Sequence, residues 1–286
     1  MFIYQLSRYI FLPRLLFVES MRNKSHLKID ALILDMDGVL WRGSEAIGNL
    51  SSIFHQIDSL RWKVIFATNN ATRSPQQYVD LLASFGVHVE QWQVVTSAAA
   101  VTFYLTNQFP KGGPIYIIGE QGLIDACAAQ GFYQSEMDAV AVVVGLDRKL
   151  TYEKLKIATL LVRSGIPFIG TNPDLTFPTP QGLVPGAGSI LAALTAASNV
   201  IPTIAGKPEP TIYKIALERL ALSPSQVLVI GDRPETDIAG AQKIGCHTAL
   251  VLSGVTNQDQ ADIWKPAPDL IAPNLESIVK MDWSKC

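Results

Sequence analysis

Cysteine is scarce in this chain of 286 residues. Cys127, Cys246 and Cys286 lie far apart with no C-x-x-C pair, which excludes a disulfide framework and a thiolate zinc site and suits a reducing cytoplasm. Histidine is equally thin: His26, His55, His88 and His247 each stand alone, so no histidine triad or histidine metal cluster emerges. A basic stripe is missing as well. The 23 Lys and Arg residues are scattered among 25 Asp and Glu, a net charge of -2, which argues against nucleic acid or an anionic membrane and leaves a small molecule as partner. No apolar run approaches the ~20 residues of a membrane span. The stretch from Tyr9 to Val18 is broken by Pro13 and Arg14 and lacks the clean core of an export signal. Residues 1–27 therefore read as a loosely ordered extension, with Met21 as an alternative start and the fold beginning near Lys28.

What is present is a well-supplied core, 48% apolar, enough for one large domain or two ordinary ones. Strand-like runs at Ala31–Leu34, Val64–Ala67, Ile115–Ile118, Val140–Val144, Pro167–Ile169, Val227–Ile230 and Ala249–Leu252 alternate with amphipathic segments. Such alternation predicts βαβ units and a doubly wound parallel sheet. Helices are predicted after Ser74-Pro75, with Gly86 as the stop, and from Pro210 to Leu220. Residues 171–188, rich in Pro and Gly, read as a loop next to a helix start. Gly186-Ala187-Gly188 lacks the third glycine and the preceding strand of a dinucleotide fingerprint.

The first run ends in Asp35-Met36-Asp37-Gly38, two carboxylates at the carboxyl end of a buried strand, where ligand sites of open α/β sheets lie. Taken alone, D-x-D-G also suits a turn in which Asp caps backbone amides. Three more segments sit at comparable places: Thr68-Asn69-Asn70 after Val64–Ala67, Gly206-Lys207-Pro208 before a helix, and Gly231-Asp232 with Asp237 after Val227–Ile230. Parallel topology brings such strand ends together.

In this order the four segments resemble the haloacid dehalogenase superfamily, and the match spans almost the whole chain after residue 30. Leu34-Asp35-Met36-Asp37-Gly38-Val39-Leu40-Trp41-Arg42-Gly43, Thr68-Asn69-Asn70 and Gly206-Lys207-Pro208 look like the NagD-type phosphatase branch, which includes 4-nitrophenylphosphatases and phosphoglycolate phosphatases. The resemblance implies a Rossmannoid α/β core with an inserted cap and a Mg²⁺-dependent phosphatase of small phosphorylated metabolites. Asp35 would be the nucleophile, forming an aspartyl-phosphate that divides one hard displacement into two easier ones. Asp35, Asp232 and the carbonyl of Asp37 would hold Mg²⁺, with Asp237 orienting a metal-bound water. The Asp37 side chain would protonate the leaving oxygen and then take a proton from the attacking water. Thr68 with the amides of Asn69 and Asn70, and the Lys207 ammonium, would hold the phosphoryl oxygens. The second acid also favours phosphoryl chemistry over carbon–halogen cleavage, which has no leaving oxygen to protonate. Thr68 as a plain helix cap and Lys207 as a surface lysine are the alternatives.

Asp35 to Thr68 and Lys207 to Asp232 are each one unit apart, whereas Thr68 to Lys207 is far longer. The excess reads as an inserted α/β cap at 104–198, with 28–103 and 199–286 as catalytic core. By resemblance the cap is mobile and closes over the site. Within it, Asn172, Asp174 and Phe177 are the candidates for substrate discrimination, against an ordinary Pro-stiffened connection. Trp41 and Arg42 face either the pocket or, for Trp41, the core. Competing functions on the same fold are a phosphotransferase or mutase using the same phospho-aspartate, and a non-catalytic metabolite-binding protein. Pairing of two copies through the cap is in keeping with the branch.

Overall fold

Side chains alternate across a strand, and Ala31–Leu34 shows what that does to an unbroken apolar run: Ala31 and Ile33 enter one apolar cluster, Leu32 and Leu34 another. The computed structural model describes residues 28–179 and 181–283, so the expected extension at 1–27 lies outside it. Its strands are β1 (Ala31–Leu34), β2 (Trp41–Arg42), β3 (Glu45–Ala46), β4 (Lys63–Thr68), β5 (Val94–Thr96), β6 (Gly113–Ile118), β7 (Phe132–Gln134), β8 (Val142–Val144), β9 (Phe168–Gly170), β10 (Thr176–Thr179), β11 (Gly182–Pro185), β12 (Thr203–Ile204), β13 (Val227–Gly231), β14 (His247–Val251) and β15 (Leu270–Ala272).

Six strands form a parallel sheet in the order β15-β14-β13-β1-β4-β5, and five form a second parallel sheet in the order β12-β9-β8-β6-β7. The fold is therefore α/β and doubly wound, as predicted. β1 is central in the first sheet, with β13 and β4 as its neighbours, which puts Asp35, Thr68 and Asp232 at adjacent strand ends. Helix Pro75–Ser84 starts as its sequence indicates, with Ser74 and Gln77 in a capping box and Pro75 in the first turn, and Gly86 follows at φ 77°.

Residues 171–188 are more than a loop: β10 and β11 pair antiparallel as a hairpin. Proline is tolerated there because a two-stranded ribbon has only edge strands, and Gly182 supplies the positive φ of 124° near the turn. The helix expected beside it is Ala187–Ser198.

Helix Ser97–Gln108 joins the two sheets. Its Ala98, Val101 and Leu105 share one apolar cluster with Ile33 and Ile65 of the first sheet and with Ile117 and Val143 of the second. The position 103/104, expected as a cap edge, falls inside this helix, and β12 extends the second sheet past residue 198 to Ile204. Segments at the carboxyl ends of both sheets meet: Gly122 N, after β6, donates to Thr72 O at 3.3 Å, and Asn172 Nδ2, after β9, donates to Asn69 O, after β4, at 2.7 Å. Among the described residues, no helix is long and apolar enough to cross a membrane.

Candidate active site

Asp35 leaves β1 with its N–H still bonded to Ile230 O at 2.9 Å, so the sheet register fixes where its carboxylate emerges. The Lys207 ammonium, with a side chain only 3% exposed, lies 2.6 Å from Asp35 Oδ1 and 2.6 Å from Asp237 Oδ1, and donates to Ala67 O at 2.9 Å. All three ammonium protons thus have acceptors. Lys207 is not a surface residue.

Asp237 sits in a single wide turn, Pro234–Ile238, of the kind often found at functional sites. Its Oδ2 accepts from Arg233 N at 3.0 Å, and its carbonyl accepts from the Tyr213 hydroxyl at 3.0 Å. Asp232, directly after β13, accepts from Val255 N at 2.8 Å, while the Thr256 hydroxyl donates to its carbonyl at 2.5 Å. The backbone around Asp232 leaves no room for side chains: a Cβ on Gly254 would lie 1.8 Å, and one on Gly38 2.4 Å, from Asp232 Oδ2.

Carboxylate oxygens of Asp35, Asp232 and Asp237 lie within 4.8 Å of one another. Burial, then the charges of Asp237 and Asp232 against the opposing Lys207, holds Asp35 well above the usual carboxylate range. Burial, with the Asp237 charge second, pushes Asp232 up to about 7. Burial alone would lower Lys207, but Asp237 and Asp35 outweigh it and hold its pKa above the ordinary value. Three buried carboxylates against one buried lysine leave negative charge uncompensated. A hard divalent cation with oxygen ligands, such as Mg²⁺, fits that donor set. Both side-chain oxygens of Asp237 already accept hydrogen bonds, whereas Asp35 and Asp232 each keep an oxygen outside the bonds described.

Asp37 stands apart from this cluster. Its Oδ1 accepts from Trp41 Nε1 at 3.0 Å, and burial raises its pKa against the opposing Trp41 bond and the charges of Arg73, Lys207 and Arg233. Trp41 is 2% exposed and stacks on Phe85, so it belongs to the core while holding Asp37. The Thr68 hydroxyl accepts from Asn70 N at 3.2 Å and caps no helix, the next one beginning at Pro75. The Asn70 side chain accepts from Thr72 N and the Thr72 hydroxyl, shaping the same turn.

Of the three residues expected to discriminate substrates, Asn172 is buried and its amide donates to Asn69 O at 2.7 Å, while its Oδ1 accepts from Asp174 N at 3.1 Å. Asp174 accepts from Asn69 Nδ2 at 3.1 Å, and burial raises its pKa. Phe177 lies half-buried in the hairpin. Sequence reasoning missed the loop after β14, where Ser253 donates to Gly38 O at 2.6 Å and Val255 and Thr256 hold Asp232; its only signal is a Ser-Gly-Val-Thr run just past a strand.

A carboxylate pair and a buried lysine at the carboxyl edge of a parallel sheet define a phosphoryl-transfer type of α/β enzyme site. Comparison with known proteins then identifies the lineage. The family model for haloacid dehalogenase-like hydrolases matches residues 32–133, and a HAD-hydrolase-like model matches 204–278. An acid sugar phosphatase of Staphylococcus saprophyticus is 35% identical over 251 residues, 87% of this chain and 96% of the relative. The 4-nitrophenylphosphatase of Thermotoga maritima superposes with TM-score 0.85 at 32% identity, covering 90% of this chain and 99% of that one. Glycerol phosphate phosphatase Rv1692 of Mycobacterium tuberculosis, solved in complex with magnesium, gives TM-score 0.84 at 34% identity over 91% of this chain and 79% of its own. The chain belongs to the haloacid dehalogenase-like hydrolases, in their NagD-type phosphatase branch, and is a hydrolase of phosphoric monoesters.

Proposed function

We propose that this phosphatase acts on small phosphorylated metabolites through a phosphorylated Asp35, with Asp37 as its proton shuttle. The observation that carries the assignment is Lys207 Nζ at 2.6 Å from both Asp35 and Asp237, with Asp232 in the same cluster. Asp35 Oδ attacks phosphorus, the bond to the leaving oxygen breaks, and Asp37 delivers its proton to that oxygen. Its raised pKa favours the acid form that this step needs. Asp37, now a carboxylate, then takes a proton from the water that releases phosphate and restores Asp35. The Thr68 hydroxyl, the amides of Asn69 and Asn70, and Lys207 hold the phosphoryl oxygens. Asp35, Asp232 and the Asp37 carbonyl would hold Mg²⁺, with Asp237 orienting its water; when bound, the ion screens the repulsion between the carboxylate and the phosphate dianion.

The second sheet, from Gly113 to Ile204, is the cap in this reading, and residues on either side form the catalytic core. Asn172, Asp174 and Phe177 are the specificity candidates in this reading. Two copies pairing through the cap belong to the same reading, as does a reducing compartment for the buried thiols Cys127 and Cys246. Asp35→Asn, assayed with 4-nitrophenyl phosphate and Mg²⁺, is expected to lose activity about 10³-fold or more. Unchanged turnover would remove Asp35 as nucleophile.

A further inference from the structure

Lysine is a long flexible stem, and where its ammonium stands depends on what holds its backbone. The segment before Lys207 hangs on the second sheet: Ala205 N donates to Gly170 O, and Gly206 N to Thr171 O, each at 2.9 Å. The ammonium, by contrast, is buried in the first sheet's carboxylate cluster. Lys207 therefore spans two bodies, and one side chain lies across the joint. Asn69 Oδ1 accepts from Lys207 N at 2.8 Å, and Asn69 Nδ2 donates to Lys207 O at 3.0 Å, a cyclic pair that clamps the lysine backbone from both ends. The second Nδ2 proton goes to Asp174 Oδ2 at 3.1 Å, and the Asn69 carbonyl accepts from Ser97 Oγ at 2.5 Å and Asn172 Nδ2 at 2.7 Å. The packing is close: a Cβ on Gly206 would lie 2.8 Å from Asn69 Oδ1 and 2.3 Å from Thr171 O.

Only a primary amide offers one acceptor and two donors from the same short stem. Aspartate supplies no donor for Lys207 O or Asp174, and alanine supplies nothing. We infer that the Asn69 side chain is a positioning residue that sets the Lys207 ammonium between Asp35 and Asp237 and ties that setting to the 171–174 loop through Asp174. The inference rests on the phosphatase reading. Its action is separate from the backbone amide of Asn69, which every variant keeps. A shift of about 1 Å in a catalytic group can lower turnover about a hundredfold, and Lys207 is placed to suffer such a shift.

The test uses the full chain with Mg²⁺ and 4-nitrophenyl phosphate, measuring kcat, KM and melting temperature for Asn69→Ala, Asn69→Asp, Asp174→Asn and the double variant Asn69→Asp/Asp174→Asn. Asn69→Ala is expected to lower kcat about 10- to 100-fold with little change in KM. Asn69→Asp is expected to lower it further, because a second carboxylate then faces Asp174 and Lys207 O. The double variant is expected to recover about tenfold over Asn69→Asp, since the amide now on residue 174 can donate back across the joint. Unchanged kcat in Asn69→Ala, or a fall in melting temperature alone, overturns the inference. If Asn69→Ala does not fold, absence of recovery in the double variant overturns it. No turnover by the unaltered protein would instead overturn the phosphatase reading itself.

Discussion

Asp35 and Asp37 share a strand end, yet their neighbours give them different chemistry. Burial raises both carboxyls, but at Asp35 the Lys207 ammonium at 2.6 Å opposes it and favours an anion that can attack, whereas the hydrogen bond on Asp37 comes from the neutral Trp41 indole N–H and burial prevails toward its acid form. Asp37→Asn can still accept attack by Asp35 on a substrate with a good leaving group, but it has no base for the second step. With 4-nitrophenyl phosphate it is expected to release about one equivalent of 4-nitrophenolate rapidly and then to turn over about 10²-fold more slowly than the unaltered protein, as stopped-flow absorbance would show. A slow first turnover without a burst would contradict this division of roles. Asp232 permits a second check. Its pKa of about 7 without metal means that below that value a proton must leave before the carboxylate can bind a cation. Asp35, also raised by burial, must likewise be ionised to bind, so Mg²⁺ affinity is expected to rise with pH through the neutral range, and calorimetry should record proton release on binding.

At the scale of elements, the loop after β14 acts on the site without supplying a reacting group. Ser253 binds Gly38 O and Val255 binds the Asp232 carboxylate, so this loop braces both acidic turns. Gly254→Ala places a methyl at 1.8 Å from Asp232 Oδ2 and must displace it. The expected result is a loss of about 1–3 kcal/mol in stability, together with weaker Mg²⁺ activation, read by melting temperature and by activity against Mg²⁺ concentration. Normal Mg²⁺ dependence would show that the loop does not set Asp232. The same loop marks where sequence reading stops. β1, β4 and β13 were legible because burial on both faces makes continuous apolar runs, and Asp35, Asp37 and Asp232 stood out as charges ending them. The three-residue strands β5, β7 and β15 carry too few side chains to show a period, whereas the equally short β8 shows because Val140 and Ala141 lengthen its apolar run. The Pro-rich hairpin concealed itself because proline penalises only strands that need a partner on both sides. The bond of the Asn69 side chain to the Lys207 backbone leaves no local pattern, since both residues stand out by motif but lie 138 residues apart until the sheet order joins them.

For the molecule as a whole, segments that follow β6 and β9 of the second sheet touch the turn that follows β4 of the first: Gly122 N donates to Thr72 O and Asn172 Nδ2 donates to Asn69 O. Gly122 lies at that meeting. A Cβ there would fall 2.7 Å from Ala71 O and from the Arg73 backbone, just beyond Thr68, Asn69 and Asn70. Any side chain at 122 must therefore push helix Gln121–Ala128 away from the turn at residues 68–73. The reacting carboxylates do not touch this contact, so the chemistry on an activated ester should suffer little. A leaving group that draws binding energy from loops of the second sheet should suffer more, because remote binding energy is what sustains its turnover. Gly122→Val is accordingly expected to lower kcat/KM for a sugar phosphate about tenfold while changing that for 4-nitrophenyl phosphate by no more than about twofold to threefold, with parallel assays on one preparation as the measurement. Equal losses on both substrates would mean that the contact supports the site as a whole, and that substrate choice does not depend on how the second sheet seats against the first.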